Sequence, residues 1–190
     1  MSIYSRVDLE EMGFAAIGKN VRISTRASFY GISRIEIGDN VRIDDFCVLS
    51  AGEGGIKLGS FIHIGVYSCI IGAGRVVLAD FANISSRVTI YSNNDDYTGE
   101  YMTSPMVDSR FTNVQHAPVN IGRHAIIGSG SVVLPGIDIG DGCAVGALTM
   151  VNTSLEAWNI YAGQPARLIK ARKKDLLIKE KEFLSSREVL

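Results

Sequence analysis

Several features that mark whole classes of protein are scarce or missing in this chain. Three cysteines in 190 residues, with no CxxC pair, spell out neither a disulfide framework nor a zinc knuckle. Nineteen basic against 20 acidic residues leave a net charge of −1, so the basic excess of a nucleic-acid binder is lacking. The longest apolar runs, such as RVVLADFANI, are far too short to span a bilayer, and no membrane insertion is expected. The opening MSIYSRVDLEEMGF has neither the basic start nor the apolar stretch of a signal peptide; a cytoplasmic location with free thiols is the expectation. What remains is an ordinary soluble composition, 46% apolar and 21% charged, long enough for one domain with a real core.

What is present in abundance is a period. In residues 121–151 every sixth position is aliphatic: Ile121, Ile127, Val133, Ile139, Val145 and Val151. Gly122, Gly128, Gly140 and Gly146 follow four of them, and the fifth position of the hexad is mostly small (Ala125, Ser131, Cys143, Thr149). A helix repeats near 3.6 residues and a strand at 2, so neither gives a clean six. A short strand plus a turn does, stacked as a parallel β-helix with the aliphatic residue pointing to the axis. The frame extends backwards through Ile17, Ile23 and Phe29, then Ile37, Ile43 and Leu49, then Leu58, Ile64 and Ile70, then Leu78, Ile84 and Ile90. That predicts an all-β fold of about six coils. Short slips fall at residues 34–36, 52–57 and 72–77. Cys47 and Cys143 take inward positions and read as small core residues; Cys69 reads as outward.

The chain divides into residues 1–16, with a short helix capped by Ser5 and Asp8; residues 17–164, the coil; and residues 165–190, read as a C-terminal helix with Leu168, Ala171, Leu176 and Phe183 as its packing stripe and a solvated basic face. Trp158 and Ile160 are expected to cap the open end of the core. The frame vanishes over residues 93–118, a segment rich in acids and amides with Tyr97, Tyr101 and Phe111, which suits an ordered binding loop. Val88, Val132 and Ile126 are expected on exposed coil faces that need a partner.

The coils, the extruded loop and the ending Ala162-Gly163-Gln164-Pro165-Ala166-Arg167 resemble the left-handed β-helix acyltransferases, the hexapeptide-repeat family, and among them the bacterial sugar O-acetyltransferases of the galactoside and maltose acetyltransferase kind. The likeness covers about residues 17–170 and alone supplies the handedness. It implies a homotrimer with active sites between neighbouring coils and acetyl-CoA as donor, with no metal. The positions matching the family's cofactor contacts are Ser129, Ala147, Asn152 and Thr153 along the corners, with Arg167 and Lys170 for the nucleotide phosphates.

The family's general base is a histidine where the loop leaves the coil; here Asp95 stands in its place, in Ser92-Asn93-Asn94-Asp95-Asp96. A carboxylate of ordinary pKa matches a hydroxyl proton poorly at neutral pH. His63, at an outward position where family members place an acceptor-contacting aromatic, and His116, at the end of the loop, are the candidate imidazoles; His124 reads as a surface residue. Asp95 and Asp96 would orient an imidazole or hold an amino group of the acceptor. The first functional reading is O-acetylation of a sugar in surface polysaccharide synthesis. The second is N-acetylation of a nucleotide-linked amino sugar, which demands less of the base. A metal hydratase of the γ-carbonic anhydrase kind, which shares the coil, needs two histidines a few residues apart, and the spacing of 63, 116 and 124 departs from that.

Overall fold

The computed structural model describes residues 2–187. The chain winds as a three-sided parallel β-helix, each side a sheet of very short strands. The first sheet stacks six strands from Ala16–Ile17 to Asp138–Ile139, and the third stacks six from Ser28–Tyr30 to Met150–Val151. The second carries eight, because Asn159–Ala162 and Arg167–Ala171 extend it past the sixth coil.

The six-residue frame is the register. Leu58 aligns with Leu78, Leu78 with Ile121 and Ile121 with Ile139. Ile43, Ile64, Ile84, Ile127 and Val145 form the second column, and Leu49, Ile70, Ile90, Val133 and Val151 the third. Like sits on like about 4.8 Å apart, so β-branched side chains interlock along the axis. Of the eighteen predicted inward positions only Ile17 and Phe29, in the first coil, are not fully buried. The N-terminal helix, Arg6–Glu11, covers that end. Its capping box of Ser5 and Asp8 is formed, Leu9 is buried, and Phe14 meets Phe29 edge-on at 5.2 Å.

The slips and the long loop all fall on one edge, where the chain passes from the third sheet to the first. There lie Ile32–Arg34, residues 52–55 and 72–75, and residues 93–118. The other two edges turn tightly through left-handed residues: Phe61, Phe81 and His124 between the first and second sheets, and Phe46, Tyr67 and Arg87 between the second and third.

Several expectations change. Val88 is buried rather than on an outer face, being the inward fifth residue of its hexad, whereas Val132 and Ile126 lie outward and half-buried. Tyr161, not Trp158 or Ile160, closes the core: it aligns with Val145 and its hydroxyl accepts from the Glu156 N–H at 3.1 Å. With Leu155 bridged to Ile139, it begins a seventh coil beyond the six expected. The helix expected from residue 165 is replaced at its start by the strand Arg167–Ala171, antiparallel to Asn159–Ala162, and the helix itself runs Leu176–Arg187. Leu168 and Ala171 are therefore exposed strand residues, not part of a helical stripe.

The basic tail is also not simply solvated. Arg172 donates to the carbonyls of His124, Gly142 and Cys143 at 3.0–3.3 Å, and the Lys174 ammonium lies 5.3 Å from the Trp158 ring centre. His124, expected at the surface, is covered by the helix. It stacks on Phe81 at 4.9 Å and its Nε2 lies 2.8 Å from Glu180. Arg123 bridges Asp80 and the same glutamate. Burial works against ionising Glu180, but the His124 and Arg123 hydrogen bonds outweigh it and hold the carboxyl below its usual range.

Candidate active site

The extruded loop leaves the coil after Thr89–Tyr91 and is pinned at its base. Ser92 is buried; its N–H donates to Ile71 and its carbonyl accepts from Ala117. Asn93–Asn94 pairs antiparallel with Gln115–His116. Gly72, at φ +140°, admits this crossing, since a β-carbon there would stand 2.4 Å from the Ser92 hydroxyl. Beyond the base, Asp96 is spent on the loop itself, accepting from Thr98 Oγ1 at 2.8 Å and Gly99 N at 2.9 Å. Those bonds, the Thr98 hydroxyl first, depress its pKa. Asp95 makes no such bond among the described residues.

Asp95 instead borders a cleft of about 440 Å³. Ile71, Tyr91 and Val132 of the third sheet line it, with Leu134 just past the strand end, and Asn93, Asn94, Asp95 and Tyr97 supply the loop side. The arrangement offers an apolar floor with a carboxylate and two amides at the wall. It lacks an imidazole within one chain, because His116 faces solvent at the loop base, paired with Asn93.

His63 lies elsewhere, on the outer face of the second sheet between Arg42 and Asn83. Its Nε2 is 2.8 Å from Asp44, whose other oxygen accepts from Arg42 at 2.7 Å. Burial pushes the Asp44 carboxyl up, but the His63 and Arg42 contacts prevail and lower it. The structure thus brings Asp95 and His116 to one edge and leaves His63 on another sheet.

Ser129 and Ala147 sit exposed on successive coils of the edge between the second and third sheets, where Leu148 N donates to Ser129 O at 2.9 Å. Asn152 and Thr153 lie past the end of Met150–Val151, on the opposite edge of the third sheet. Arg167 and Lys170 are exposed on the closing strand, Lys170 opposite Ile160.

Sequence reading missed one group. Below Ser129, on the same edge, Arg26, Phe46, Tyr67 and Arg87 form a column. The two rings stack at 4.9 Å and 13°, with Arg26 5.6 Å from the Phe46 centre and Arg87 5.2 Å from that of Tyr67. Following the third corner residue of each coil would have found it, since the spacing is 20 or 21 residues.

Comparison with known proteins settles the lineage. No family model matches the chain. A dTDP-4-amino-4,6-dideoxy-D-glucose acyltransferase of Escherichia coli is 53% identical over 186 residues, covering 98% of this chain and 97% of that protein. The chain belongs to the hexapeptide-repeat acyltransferases. Among solved members of the family, AntD, an N-acyltransferase from Bacillus cereus in complex with dTDP and 3-hydroxybutyryl-CoA, superposes with a TM-score of 0.94 at 44% identity, over 98% of both chains. A serine-to-cysteine variant of AntD, 44% identical with a TM-score of 0.93 over 97% of this chain and 98% of that one, was solved with dTDP-4-amino-4,6-dideoxyglucose and coenzyme A. A hexapeptide-repeat acetyltransferase of Vibrio cholerae shares the fold alone, at 18% identity and a TM-score of 0.60 over 89% of this chain and 80% of that one. These relatives, named for acylation of an amino sugar nucleotide, back the second functional reading, N-acylation, better than the first, O-acetylation of a sugar hydroxyl.

Proposed function

We propose that this acyltransferase moves an acyl group from acyl-coenzyme A to the amino group of a 4-amino-4,6-dideoxy sugar carried on dTDP. The observation that carries the proposal is the cleft beside the loop, which offers Asp95 and two amides where a hydroxyl-acylating relative would need an imidazole. An amine becomes nucleophilic simply by shedding its ammonium proton, at a pH far nearer neutrality than a sugar hydroxyl requires. The relatives' substrates support the same choice.

The neutral nitrogen attacks the thioester carbonyl, forming the N–C bond as the C–S bond breaks. The sulfur leaves as the thiolate of coenzyme A, and the proton lost by nitrogen neutralises it directly or through water. Asp95 receives the amino group as a hydrogen-bond acceptor and orients its lone pair, while His116, on the same edge, and the His63 of a neighbouring copy contact the acceptor. Ser129 and Ala147 expose small corners along which a pantetheine arm approaches the backbone, Asn152 and Thr153 of a neighbouring copy line its other side, and Arg167 and Lys170 take the nucleotide phosphates. The half-buried outward aliphatics Val132 and Ile126 favour a homotrimer, and an N-acylated sugar nucleotide made in the cytoplasm suits surface polysaccharide synthesis.

The test is thiol release from acetyl-CoA and 3-hydroxybutyryl-CoA with dTDP-4-amino-4,6-dideoxyglucose, against the matching nucleotide bearing a hydroxyl at C4. Turnover with the amine alone is expected, and His63→Ala should keep most of kcat. Turnover with the hydroxyl substrate, lost in His63→Ala, would restore the O-acetylation reading.

A further inference from the structure

The outer face of the second sheet runs between two aromatic columns. On one side Phe61 and Phe81 stack at 4.7 Å, and Phe183 of the C-terminal helix closes them edge-on. On the other side stand Phe46 and Tyr67. Between the columns each coil presents one outward residue, in register: Arg22, Arg42, His63, Asn83 and Ile126. The His63 side chain is 43% exposed, whereas that of Asp44, on which its Nε2 rests, is 15% exposed. Asp44 is fixed from two further directions. Its N–H donates to Ile64 O at 3.0 Å, and Arg42 Nε donates to its second carboxylate oxygen at 2.7 Å. Burial opposes its ionisation, but the His63 and Arg42 contacts prevail, so at neutral pH it is a carboxylate that can only accept. In the neutral ring the proton between the two groups therefore sits on Nε2. Nδ1 keeps a bare lone pair, with no partner among the described residues. One coil up, the amide oxygen of Asn83 is buried and also has no partner among the described residues. Buried polar atoms are rarely left so. The unspent capacity of this row is acceptor capacity.

We propose that Asp44 is a positioning residue for acceptor recognition: it takes the Nε2 proton of His63 and so turns Nδ1 outward as a hydrogen-bond acceptor for a ring hydroxyl of the sugar. The inference rests on the acceptor class assigned above and states what the neighbouring copy's imidazole does there. The sugar then lies between two chains, its amino group on Asp95 of one copy and a hydroxyl on His63 of the next. A nitrogen that can only accept selects a hydroxyl over a carbonyl or a methyl group at that carbon, because either substitute leaves the lone pair unmatched.

Arg42 makes the arrangement one-way. In Asp44→Asn the guanidinium still needs an oxygen, so the amide oxygen stays on Arg42 and the NH2 turns to His63. Nε2 must then accept, the ring proton moves to Nδ1, and the outward nitrogen becomes a donor. One isosteric change inverts the polarity of the outward nitrogen without moving the ring. The fold has little need of the pair. The inward columns at Ile43 and Ile64 are fully buried beneath it, and an ion pair with a half-exposed partner adds little to stability.

The test is steady-state thiol release from acetyl-CoA with dTDP-4-amino-4,6-dideoxyglucose, at about pH 8 where an ordinary imidazole is neutral. The full chain is compared as wild type, Asp44→Asn, His63→Ala and the double variant. Each single change should raise the acceptor KM about three- to tenfold, the loss falling on that constant rather than on kcat. The double variant should be no worse than His63→Ala, because Asp44 acts only through the ring. Long-range proton–nitrogen NMR of the three histidines, with His63→Ala as the assignment, should place the His63 proton on Nε2 in the wild type and on Nδ1 in Asp44→Asn. A wild-type ring protonated at Nδ1, an acceptor KM unmoved in Asp44→Asn, or additive losses in the double variant would each overturn the positioning role and leave the proposed reaction standing. A wild type that turns over no amino sugar nucleotide would instead sink the acceptor assignment, and this inference with it.

Discussion

Removing one ring, in Phe183→Ala, should free the C-terminal helix without unfolding the coil. Phe183 is 39% exposed, so well over half of its surface is covered, mostly by Phe61 and Phe81. Taking about 100 Å² of lost burial at about 25 cal/mol per Å² gives about 2.5 kcal/mol. The two edge-to-face pairs, at 5.4 and 6.4 Å, add about 0.5–1 kcal/mol each. The total of about 3.5–4.5 kcal/mol falls on a 12-residue helix that is marginal once undocked. Native-state hydrogen exchange over residues 176–187 should therefore accelerate by at least about a hundredfold, while the amides of the coil keep their protection. Ile178→Ala, on the exposed side at 59%, should change exchange little. Unaltered exchange in Phe183→Ala would refute the view that the aromatic column holds the helix. Equal loss of protection in coil and helix would show that the two unfold as one unit.

Asp95→Asn should lower kcat while leaving the KM for acyl-CoA unchanged, read by steady-state thiol release; an equal rise in that KM would move Asp95 from the acceptor to the donor. Arg167→Ala should weaken coenzyme A binding measured by calorimetry with the far-ultraviolet spectrum intact, and unchanged affinity would end its phosphate assignment. Ile84→Ala, in the middle of a fully buried column, should cost about 2–5 kcal/mol in denaturant unfolding, and a loss below 1 kcal/mol would mean that the column relaxes to fill the space. The Glu180 carboxyl is depressed in the folded state, so its contribution to helix docking is present above the ordinary glutamate value near 4.3 and is lost as pH falls through the folded pKa. Fluorescence of the single tryptophan, Trp158, beneath Lys174 should report undocking below about pH 4, and Glu180→Gln should abolish that pH step.

The fold was legible because one period governs it. An inward aliphatic every sixth residue is a demand of the core, and substitution at Ile64 or Ile127 would be felt in two neighbouring coils at once. The tail was misread for the opposite reason. Residues 167–171, RLIKA, have the composition of a helix, but the open edge left by Asn159–Ala162 recruits them as a strand, a tertiary influence no local pattern carries. His124 looked superficial because its cover, Glu180, lies 56 residues away. At the site, Asp95 could be placed by counting hexads from the coil to the loop. The Phe46–Tyr67 ladder escaped because its members belong to separate coils and stand next to the inward positions that drew the eye.

The closing strand has a consequence for solubility. A stack of parallel coils ends in open strand edges, and each coil there is a template for another copy of the same chain. Arg167–Ala171 runs antiparallel across the last strand of the second sheet, against the direction any added coil would need. Ala166 N and Gly163 N–H and C=O neighbours are engaged as well, Ala166 donating to Met150 O and Gly163 accepting from Met150 N on the third sheet. The new outer edge presents Arg167 and Lys170, like charges that would face themselves in any end-to-end contact. A chain cut after Ala162 would lose this terminator and leave the edge of Asn159–Ala162 unpaired, open to another strand.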